Sequence, residues 1–405
     1  MSSLKKPKFL AVDFFCGAGG TTCGLIDAGG YVIAGIDKDS KCARTYTENN
    51  HNVFIDEKAP EFLERDVFPK RKIYPQGEQK RLFDELENLI NYYRDKTKNV
   101  PLLFAICAPC QPFTKLSRKE LSEERKKGRA RDSNLLLEAV KFVRRFQPEM
   151  ILAENVAGIN EVKYGEVWNR FRKKLEKLGY AIGSKIVCTS RFGIPQHRKR
   201  SILIAVKVEL ARSERLTNSS ESELLIPEID PDAALVSVKK AIGHLPPLVA
   251  GEAHPTIPNH RTRNLNKLNL NRIKSAAPGE SNAYLTNTRF GDLTLDCHRR
   301  ASKRLKVSCF SDVYTRMHPE RPSPTITTKC HSISNGRFGH YDIKQARGIS
   351  LREAAILQSF PENYVFFPTE QTEPVARMIG NAVPPKLASF FANYLVDSVI
   401  SKIRA

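Results

Sequence analysis

The sequence lacks a hydrophobic run long enough to cross a membrane as a helix. Such a span needs roughly 20 consecutive, mostly apolar residues. The first eight residues are basic, but the apolar segment and cleavage site of a secretory signal peptide do not follow them. We therefore expect a cytoplasmic protein that makes no contact with a membrane.

The nine cysteines show no regular spacing. An odd, irregular set does not match the disulfide framework of a small secreted protein and predicts reduced thiols. Cys297, Cys309 and Cys330 lack the paired spacing of a zinc site, so the sequence predicts no bound metal. Cys107 and Cys110 do form a C-x-x-C pair, which keeps a dithiol redox site open as an alternative.

Acidic residues are outnumbered by basic ones, with 44 Asp and Glu against 65 Lys and Arg, and the net charge is +21. This excess favours a polyanionic partner, most simply a nucleic acid. With 405 residues, 41% of them hydrophobic, the chain can form one large domain and a smaller one.

The first half of the sequence alternates between strand and helix patterns. Apolar strand patterns cover residues 8–15, 31–36, 102–108, 150–153, 180–188 and 201–208, and helical spacing covers 21–28, 39–49, 80–94, 135–146 and 168–178. This alternation predicts an α/β fold with a doubly wound sheet. After residue 208 the chain becomes polar and irregular, and helical patterns return only near its end. We predict a catalytic and cofactor-binding domain over 1–207, completed by 370–405, with a smaller irregular domain over 208–369.

A glycine-rich run from Asp13 to Gly20 closes the first predicted strand. Glycines at such a turn let the backbone approach a ligand closely. Asp37 ends the next strand, where an acidic side chain commonly binds a ribose. The pair indicates an adenosine-containing cofactor and leaves a dinucleotide and S-adenosylmethionine open. Asp66 would end a third strand and accept a hydrogen bond from an adenine amine.

Cys110 follows the apolar segment 101–108 directly, in the run Ala-Pro-Cys-Gln-Pro-Phe. A thiol at the carboxyl end of a parallel strand lies where α/β sheets bind ligands, and nearby cations favour its nucleophilic form. A redox dithiol would normally begin a helix here. Pro112 discourages helix at Gln111 and so argues against that alternative.

Taken in order, the motifs resemble those of the DNA (cytosine-5) methyltransferases. They are DFFCGAGG (13–20), Asp37, Asp66, PCQPF (109–113), ENV (154–156), QHRKR (196–200), RPSPTIT (321–327) and GNAVPP (380–385). The resemblance covers nearly the whole chain except about 208–316. It implies the S-adenosylmethionine-dependent methyltransferase fold with a smaller target-recognition domain, and methylation of carbon 5 of a flipped-out cytosine in a specific double-stranded DNA sequence. It also implies a bacterial restriction-modification system with a cognate restriction endonuclease, and a monomeric enzyme.

The resemblance assigns roles to particular residues. Cys110 would add to carbon 6 of cytosine, and Glu154 would hold or supply a proton at nitrogen 3. Arg198 and Arg200 would bind the cytosine carbonyl oxygen and a nearby phosphate or thiolate, and Asn155 would support the Cys110 segment. The cofactor S-adenosyl-L-methionine would be bound by Asp13, Phe15, Gly17, Gly19, Gly20, Asp37, Asp66, Pro109, Asn381 and Val383.

Two departures and two alternatives accompany this assignment. The arginine expected shortly before the helix at Leu135 is displaced to Arg131, and the segment 76–98 is longer than a minimal family member needs. A non-catalytic DNA-binding relative would be expected to lack Cys110 or Glu154, and the tRNA-methylating branch of the family shares a similar nucleophile.

Candidate DNA-reading residues in the second domain are His254, Asn259, His260, Arg261, Arg263, Arg289, His298, Arg299 and Arg300.

Overall fold

A seven-stranded sheet forms the centre of the larger part of the molecule. The structure is a computed structural model that describes residues 6–72, 74–109, 134–160, 165–211, 226–227, 234–296, 299 and 311–403. The strands are β1 (Phe9–Phe14), β2 (Gly30–Asp37), β3 (Glu61–Glu64), β4 (Leu102–Ile106), β5 (Met150–Val156), β6 (Tyr180–Cys188) and β7 (Lys199–Lys207). Their order is β3-β2-β1-β4-β5-β7-β6, so the winding direction changes between β1 and β4. In doubly wound sheets that change marks the crevice where ligands bind.

The first five strands are parallel, and β7 runs antiparallel to both β5 and β6. Every residue of β1 and β4 is fully buried. Helices cover both faces of a parallel sheet, so its central strands are near-continuous apolar runs rather than alternating ones. Asp13 is the one charged residue in the otherwise apolar strand β1. A buried charged residue at this position indicates a function at the end of the strand.

The helices that accompany the sheet are α1 (Gly20–Asp27), α2 (Ala43–Asn49), α3 (Gln79–Thr97), α4 (Leu135–Phe146), α5 (Gly165–Glu176) and α6 (Val208–Ala211). A 3₁₀ turn at Ser40–Cys42 precedes α2, within the segment predicted as one helix. In α3 the buried residues Leu82, Leu86 and Ile90 are four positions apart, which places them on one face of the helix. The predicted α/β sheet with alternating helices is therefore confirmed.

The last helix, α11 (Pro385–Ile403), packs against α1 as expected for a segment that completes the first domain. Leu387, Phe391 and Leu395 are buried, and a Cβ on Gly24 of α1 would overlap the Pro385 carbonyl. Phe390, predicted on the same apolar face, is instead 37% exposed. Positions 387, 391 and 395 are four apart, whereas 390 lies to the side of that row.

The chain divides into two compact units. Unit 1 comprises residues 1–188, 199–231 and 383–405, and unit 2 comprises 189–198 and 232–382. Unit 2 contains the helices α7 (Val238–Ile242), α8 (Lys267–Ser275), α9 (Leu351–Leu357) and α10 (Thr372–Asn381), and is otherwise built of turns and short 3₁₀ segments. It therefore matches the irregular second domain expected from the sequence.

The boundaries of the units differ from the predicted ones at two places. Residues 189–198, predicted in the first domain, belong to unit 2, and so does α10, which was predicted to complete the first domain. The side chains of Gln196 and Arg198 explain the first difference, because both form hydrogen bonds within unit 2. Among the described helices, none combines the length and apolar character that a bilayer span requires.

Candidate functional site

The glycine-rich turn after β1 takes backbone conformations that favour glycine. Phe15, Gly17 and Gly19 have φ values of 64°, 50° and 87°, and α1 begins at Gly20. Only glycine adopts such values without steric cost, so the two glycines fit the sequence requirement, and Phe15 is a strained exception. The turn lies at the carboxyl end of β1, beside the place where the sheet changes direction.

Asp37 connects this turn to the segment after β2. Its carboxylate accepts the Gly17 amide at 2.9 Å through one oxygen and the Asp39 amide at 2.9 Å through the other. Burial raises the pKa of Asp37, and the two backbone donors oppose that rise. Each carboxylate oxygen can still accept a second hydrogen bond. Asp37 therefore shapes the turn and keeps acceptor capacity for a ribose hydroxyl.

Asp13 lies below the turn rather than on its surface. The side chain is fully buried, and its Oδ2 accepts a hydrogen bond of 2.8 Å from the Thr22 hydroxyl of α1. Burial raises the pKa of Asp13 to about 7, and the hydrogen bonds from Thr22 act in the opposite direction. The predicted direct contact with a cofactor does not fit this position. Asp13 instead fixes the start of α1 against the end of β1.

A cleft of about 580 Å³ opens at the carboxyl ends of β2 and β3. It is lined by Lys38, Glu64, Arg65, Asp66, Lys70, Pro75, Gln76, Gly77 and Glu78. The Asp66 carboxylate accepts the Phe68 amide at 3.0 Å, which orders the chain after β3. Asp66 lies two residues beyond the end of that strand, close to the predicted position.

Glu154 and Arg200 form an ion pair on adjacent strands. β5 and β7 are antiparallel, and Arg200 lies opposite Val156, two positions from Glu154. The Arg200 Nε is 2.6 Å from Glu154 Oε1, and the two side chains are only 9% and 11% exposed. Two charges this well shielded from water interact strongly, and removing either leaves the other uncompensated. Glu154 and Arg200, which the sequence predicts as separate site residues, thus lie together inside adjacent strands.

Asn155 joins the ends of β4 and β5. Its side-chain amide donates to the Ala108 carbonyl at 3.2 Å, and its Oδ1 accepts the Val156 amide at 2.9 Å. Asn155 is fully buried, and Pro109 after Ala108 is exposed. The predicted nucleophile Cys110 and the basic segment after it lie outside the described residues, which stop at 109 and resume at 134. Asn155 therefore fixes the last described peptide before Cys110.

Cys107, the residue after β4, is a partly buried thiol. Its Sγ is 3.8 Å from the Thr21 hydroxyl. Burial raises its pKa well above the ordinary value, and Glu154 and Asp13 raise it further. A redox dithiol needs a thiolate at neutral pH, and this environment works against one. The described half of the C-x-x-C pair thus argues against the dithiol alternative.

Arg198 and Arg200 have different surroundings, although the sequence predicts that both bind the cytosine carbonyl oxygen and a nearby phosphate or thiolate. The Arg198 guanidinium is buried within unit 2, where its Nη1 donates to the carbonyls of Ile326 and Gly380 at 2.9 and 3.2 Å. β7 begins only at Lys199, so the extended alternation does not include Arg198. Arg198 connects Ile326 and Gly380 within unit 2, and the prediction that it binds cytosine does not fit these contacts.

Gln196 is a structural residue that the sequence reasoning did not single out. Its amide donates to Gln358 Oε1 at 2.6 Å, and its Oε1 accepts the Ile326 amide at 2.9 Å. Gln358 in turn donates to the Ile379 carbonyl at 2.7 Å. The signal was available, since Gln196 opens the QHRKR motif, but its partners are 130 or more residues away along the chain.

The remaining predicted residues are near the boundary between the units along the chain. Asn381 ends α10 and is exposed, and Val383 is 8% exposed. Within unit 2, a Cβ on Gly380 would overlap the backbone of Thr327 and Thr328, so only glycine fits there. Among the described residues no group of three or more His, Cys, Asp or Glu side chains is placed to hold a metal ion.

The chain is similar in sequence to proteins that modify DNA. The model of the family described as C-5 cytosine-specific DNA methylase matches residues 9–73 and 83–397. Type II methylase M.HgiDII of Herpetosiphon aurantiacus is 33% identical over 383 residues, covering 94% of this chain and 93% of the relative. Type II methyltransferase M1.HphI of Haemophilus parahaemolyticus is 27% identical over 390 residues, covering 94% of this chain and 85% of the relative.

Solved structures show the same fold at lower sequence identity. A prophage-encoded E. coli protein superposes with a TM-score of 0.59 at 21% identity, over 97% of this chain and 100% of its own. A DNMT2 mutant of Spodoptera frugiperda gives a TM-score of 0.54 at 15% identity, over 96% of this chain and 99% of its own.

Proposed function

The chain belongs to the C-5 cytosine-specific DNA methylase family, and from this premise we propose that it methylates carbon 5 of a flipped-out cytosine in a specific double-stranded DNA sequence. The methyl donor would be S-adenosyl-L-methionine, and Cys110 would form a covalent adduct with the base. In the duplex, neighbouring bases stack on both faces of the cytosine ring and block access to its ring carbons. The target base must therefore leave the helix to react.

The observation that carries this proposal is the arrangement at the ends of β4 and β5. The buried Glu154–Arg200 pair and the Asn155 contact with Ala108 adjoin the peptide that leads into Cys110. Addition to a pyrimidine requires a nucleophile, an acid and a cation, and the last two lie together on neighbouring strands here. The basic run of eight Lys and Arg after the nucleophile, between Lys115 and Arg131, suits a phosphate-rich substrate.

The reaction begins with addition of the Cys110 thiolate to carbon 6 of cytosine. The electron pair of the carbon 5–carbon 6 double bond moves toward nitrogen 3, where the Glu154 carboxyl donates a proton. The carboxylate that remains is stabilised by Arg200, whose Nε is already 2.6 Å from Glu154 Oε1. The neutral enamine is nucleophilic at carbon 5, so that atom can take up the methyl group.

Release reverses the addition. A base removes the proton from carbon 5, the carbon 5–carbon 6 double bond reforms, and the bond to Cys110 Sγ breaks. The proton on nitrogen 3 returns to Glu154. The products are 5-methylcytosine, the free thiolate, the protonated base and S-adenosyl-L-homocysteine, whose sulfur keeps the electron pair of the broken sulfur–methyl bond. The step therefore balances without an oxidant or reductant.

The glycine turn and the neighbouring cleft fit the proposed cofactor. Gly17 has open space where a side chain would be, so a ligand can approach its backbone closely. Asp37 lies against this turn with acceptor capacity for ribose, and Asp66 borders the 580 Å³ cleft where an adenine amine would bind. S-adenosyl-L-methionine, when bound, supplies the electrophilic methyl group.

Bisulfite sequencing of DNA from cells that express the chain tests the function. We expect methylated cytosines at one short sequence, none with Cys110→Ser, and nearly wild-type levels with the control Cys107→Ser. The serine hydroxyl is far less ionised than a thiol and adds poorly to carbon 6. A wild-type chain that methylates no DNA but loses a dithiol redox activity in either cysteine variant would favour the dithiol alternative. Substantial methylation by Cys110→Ser would overturn the proposed nucleophile.

A duplex with 5-fluorocytosine at the target tests the covalent step. Fluorine cannot leave carbon 5 as a proton does, so the wild-type chain is expected to form a stable adduct mapped to Cys110. Glu154→Gln should slow trapping by about 10²–10⁴-fold because it removes the proton donor. An adduct at Cys107 would contradict the mechanism. Methylation of tRNA in place of DNA would assign the chain to the RNA-directed alternative.

The relatives carry Type II methylase and methyltransferase names, which supports a role in a restriction-modification system. We expect methylation at the target sequence to block a cognate restriction endonuclease and so protect host DNA. The check is digestion of the isolated DNA by endonucleases that recognise the sequence found by bisulfite sequencing. Complete digestion at fully methylated sites would contradict this role.

A further inference from the structure

Two of the side chains expected to read DNA instead form hydrogen bonds inside unit 2. Asn259 exchanges hydrogen bonds of 2.9 and 2.8 Å with the backbone of Phe366. The His260 ring nitrogens lie 2.9 Å from the Ser350 hydroxyl and 2.9 Å from the Pro246 carbonyl. Both side chains are buried. Base contacts must come from other, exposed residues of this unit.

The turn Thr288–Gly291 presents such residues on a self-supporting loop. The Thr288 and Gly291 backbones exchange hydrogen bonds of 3.3 and 2.9 Å. The Thr288 hydroxyl donates to the Gly291 carbonyl at 2.6 Å and accepts the Phe290 amide at 3.1 Å. Gly291 has a φ of 88°, which favours glycine at that position. The turn therefore has a defined shape before any partner binds.

The base of this loop is anchored in unit 2. Leu285 and Leu293 are 1% and 8% exposed, and the Leu293 amide donates to the Leu285 carbonyl at 2.8 Å. Arg272 of α8 donates from Nε to the Leu293 carbonyl at 3.0 Å. A rigid stem of this kind holds the tip in position before a partner binds. Binding therefore requires little loss of conformational entropy in the loop.

The tip itself carries an arginine and an aromatic ring. Arg289 is exposed, and Phe290 is 40% exposed. The Arg289 guanidinium carbon lies 4.8 Å from the centroid of the Phe290 ring, within cation–π distance. Turn tips are normally small and polar, and this one instead offers a partner an arginine stacked on an exposed aromatic ring. The ring also holds the guanidinium in place.

Charge complementarity indicates what that partner is. Arg289 has no carboxylate within ion-pair distance among the described residues, whereas Arg299 is paired with Asp292 at 3.2 Å. The sequence just after this loop is strongly basic, with Arg300, Lys303, Arg304 and Lys306. A planar guanidinium beside an apolar ring matches a guanine with its O6 and N7 acceptors and the apolar edge of the next base pair.

We propose that the Thr288–Gly291 turn is a DNA-reading element in which Arg289 binds the O6 and N7 atoms of a guanine in the major groove while Phe290 packs against the neighbouring base edge. This inference rests on the proposed function, since it assigns a residue that selects the DNA sequence for that reaction. Arg289 then acts on specificity and not on the methyl-transfer step.

The first experiment compares methylation patterns of variants by bisulfite sequencing. Arg289→Ala and Arg289→Lys should both relax the preference at one guanine position and lower kcat/KM on the preferred site by about 5- to 150-fold. Lysine keeps the charge but loses the two-pronged geometry. The matched control is Arg145→Ala, an exposed arginine of α4 in unit 1 that pairs with Glu87 at 2.7 Å, and it should keep the wild-type pattern.

The second experiment removes the partner atom from the DNA. Duplexes carrying the preferred site are made with 7-deazaguanine at one guanine at a time, which deletes N7. At one of these guanines, 7-deazaguanine should weaken DNA binding by the wild-type chain. The same modified duplex should not weaken DNA binding by the Arg289→Ala variant. Phe290→Ala should lower affinity for the site, and Phe290→Leu should recover part of it. Thermal unfolding of each variant should match wild type because the tip is exposed.

Two results would overturn the inference while leaving the proposed function in place. One is an unchanged site preference in Arg289→Ala with wild-type activity. The other is equal weakening on every sequence together with full activity of Arg289→Lys, which would make Arg289 a phosphate contact. A wild-type chain that methylates no cytosine would instead refute the proposed function itself. Arg289 variants that unfold early would refute the claim that the tip has no structural role.

Discussion

The two units bury carboxyl groups in opposite ways. In unit 1, Asp13 lies in an apolar sheet with Thr22 as its hydrogen-bond donor, and burial raises its pKa to about 7. In unit 2, Glu353 receives two hydrogen bonds from Arg347, at 2.8 and 2.7 Å, and one from the Ser350 amide at 2.6 Å. Despite burial, these donors hold the pKa of Glu353 at about 2. The surroundings, and not burial alone, decide which form of a carboxyl group is stable.

The comparison extends to the interiors of the units. Unit 1 is held by fully buried apolar strands such as β1 and β4. Unit 2 buries whole guanidinium groups, and Arg316 donates to the carbonyls of Ile273, Ala276, His340, Asp342 and Gln345. Irregular backbone leaves many carbonyls without partners in a regular element, and arginine supplies several donors at once. In unit 2, arginine side chains thus donate the hydrogen bonds to backbone carbonyls that neighbouring strands donate in the sheet of unit 1.

The largest expected effect follows from breaking the Glu353 network. Glu353→Gln removes the charge that compensates buried Arg347, and we expect a loss of about 3–5 kcal/mol in the free energy of unfolding. Hydrogen exchange at amides of unit 2 measures it. Glu87→Gln, which alters the exposed pair with Arg145, is the control and should change stability by at most about 1 kcal/mol. Equal effects of the two variants would contradict the comparison.

The helix pair α1–α11 tests the close packing of unit 1. Gly24→Ala adds a methyl group that would overlap the Pro385 carbonyl, and we expect a loss of about 1–3 kcal/mol in stability. Fluorescence of Trp168, the one tryptophan in the chain, reports on this unit because the side chain is 1% exposed in α5. A Gly24→Ala protein with unchanged thermal unfolding would show that α1 and α11 move apart readily.

The smallest change to the sheet sharpens the same comparison. Ile204→Val removes one methylene from a fully buried position in β7 and should cost about 0.5–1.5 kcal/mol of stability. Denaturant unfolding followed by Trp168 fluorescence measures the loss. Exposed Ile186 in β6 is the matched control, and Ile186→Val should be nearly neutral. A larger loss at Ile186 than at Ile204 would contradict the described burial.

The pH dependence of stability should differ in sign between the two carboxyl groups. The pKa of Asp13 is raised, so its contribution is greatest below about pH 4 and is lost as the pH rises towards 7. The pKa of Glu353 is lowered, so its contribution is present above about pH 4.5 and is lost as the pH falls towards 2. Asp13→Asn should flatten the first dependence only, and Glu353→Gln the second only. Unfolding curves across pH 2–8 decide between these outcomes.

Much of unit 1 follows from the sequence because its elements are local patterns. Residues 135–146 became α4, and residues 180–188 became β6, as their spacing predicts. The glycine turn and Asp37 likewise follow from short motifs at strand ends, whereas the ion pair between Glu154 and Arg200 joins residues inside two strands. The sequence predicts that this strand ends before Glu154, whereas β5 continues to Val156. The polar Glu-Asn pair interrupts the apolar pattern by which the strand is recognised.

Unit 2 could not be predicted in the same detail. The sequence groups Arg198 with Arg200 because alternate residues of an extended segment share a face, and it does not single out Gln196. The partners of Arg198 and Gln196 are Ile326, Gly380 and Gln358, which lie far along the chain. Nor does the sequence say that Asn259 is buried while Arg289 is exposed, since both are polar residues in a region without periodicity. Hydrogen bonds between irregular segments leave no repeating pattern in the sequence.

The placement of α11 sets the order in which the molecule can assemble during synthesis. Residues 189–198 and 232–382 of unit 2 leave the ribosome before α11 exists. α1, by contrast, emerges more than 350 residues earlier than the helix that covers it, including the Ser389 hydroxyl that donates to Asp27 at 2.7 Å. Closure over so long a loop is slow, because chain entropy is lost before the contacts form. The nascent chain must therefore keep the α11-binding face of α1 exposed until α11 itself has been synthesised.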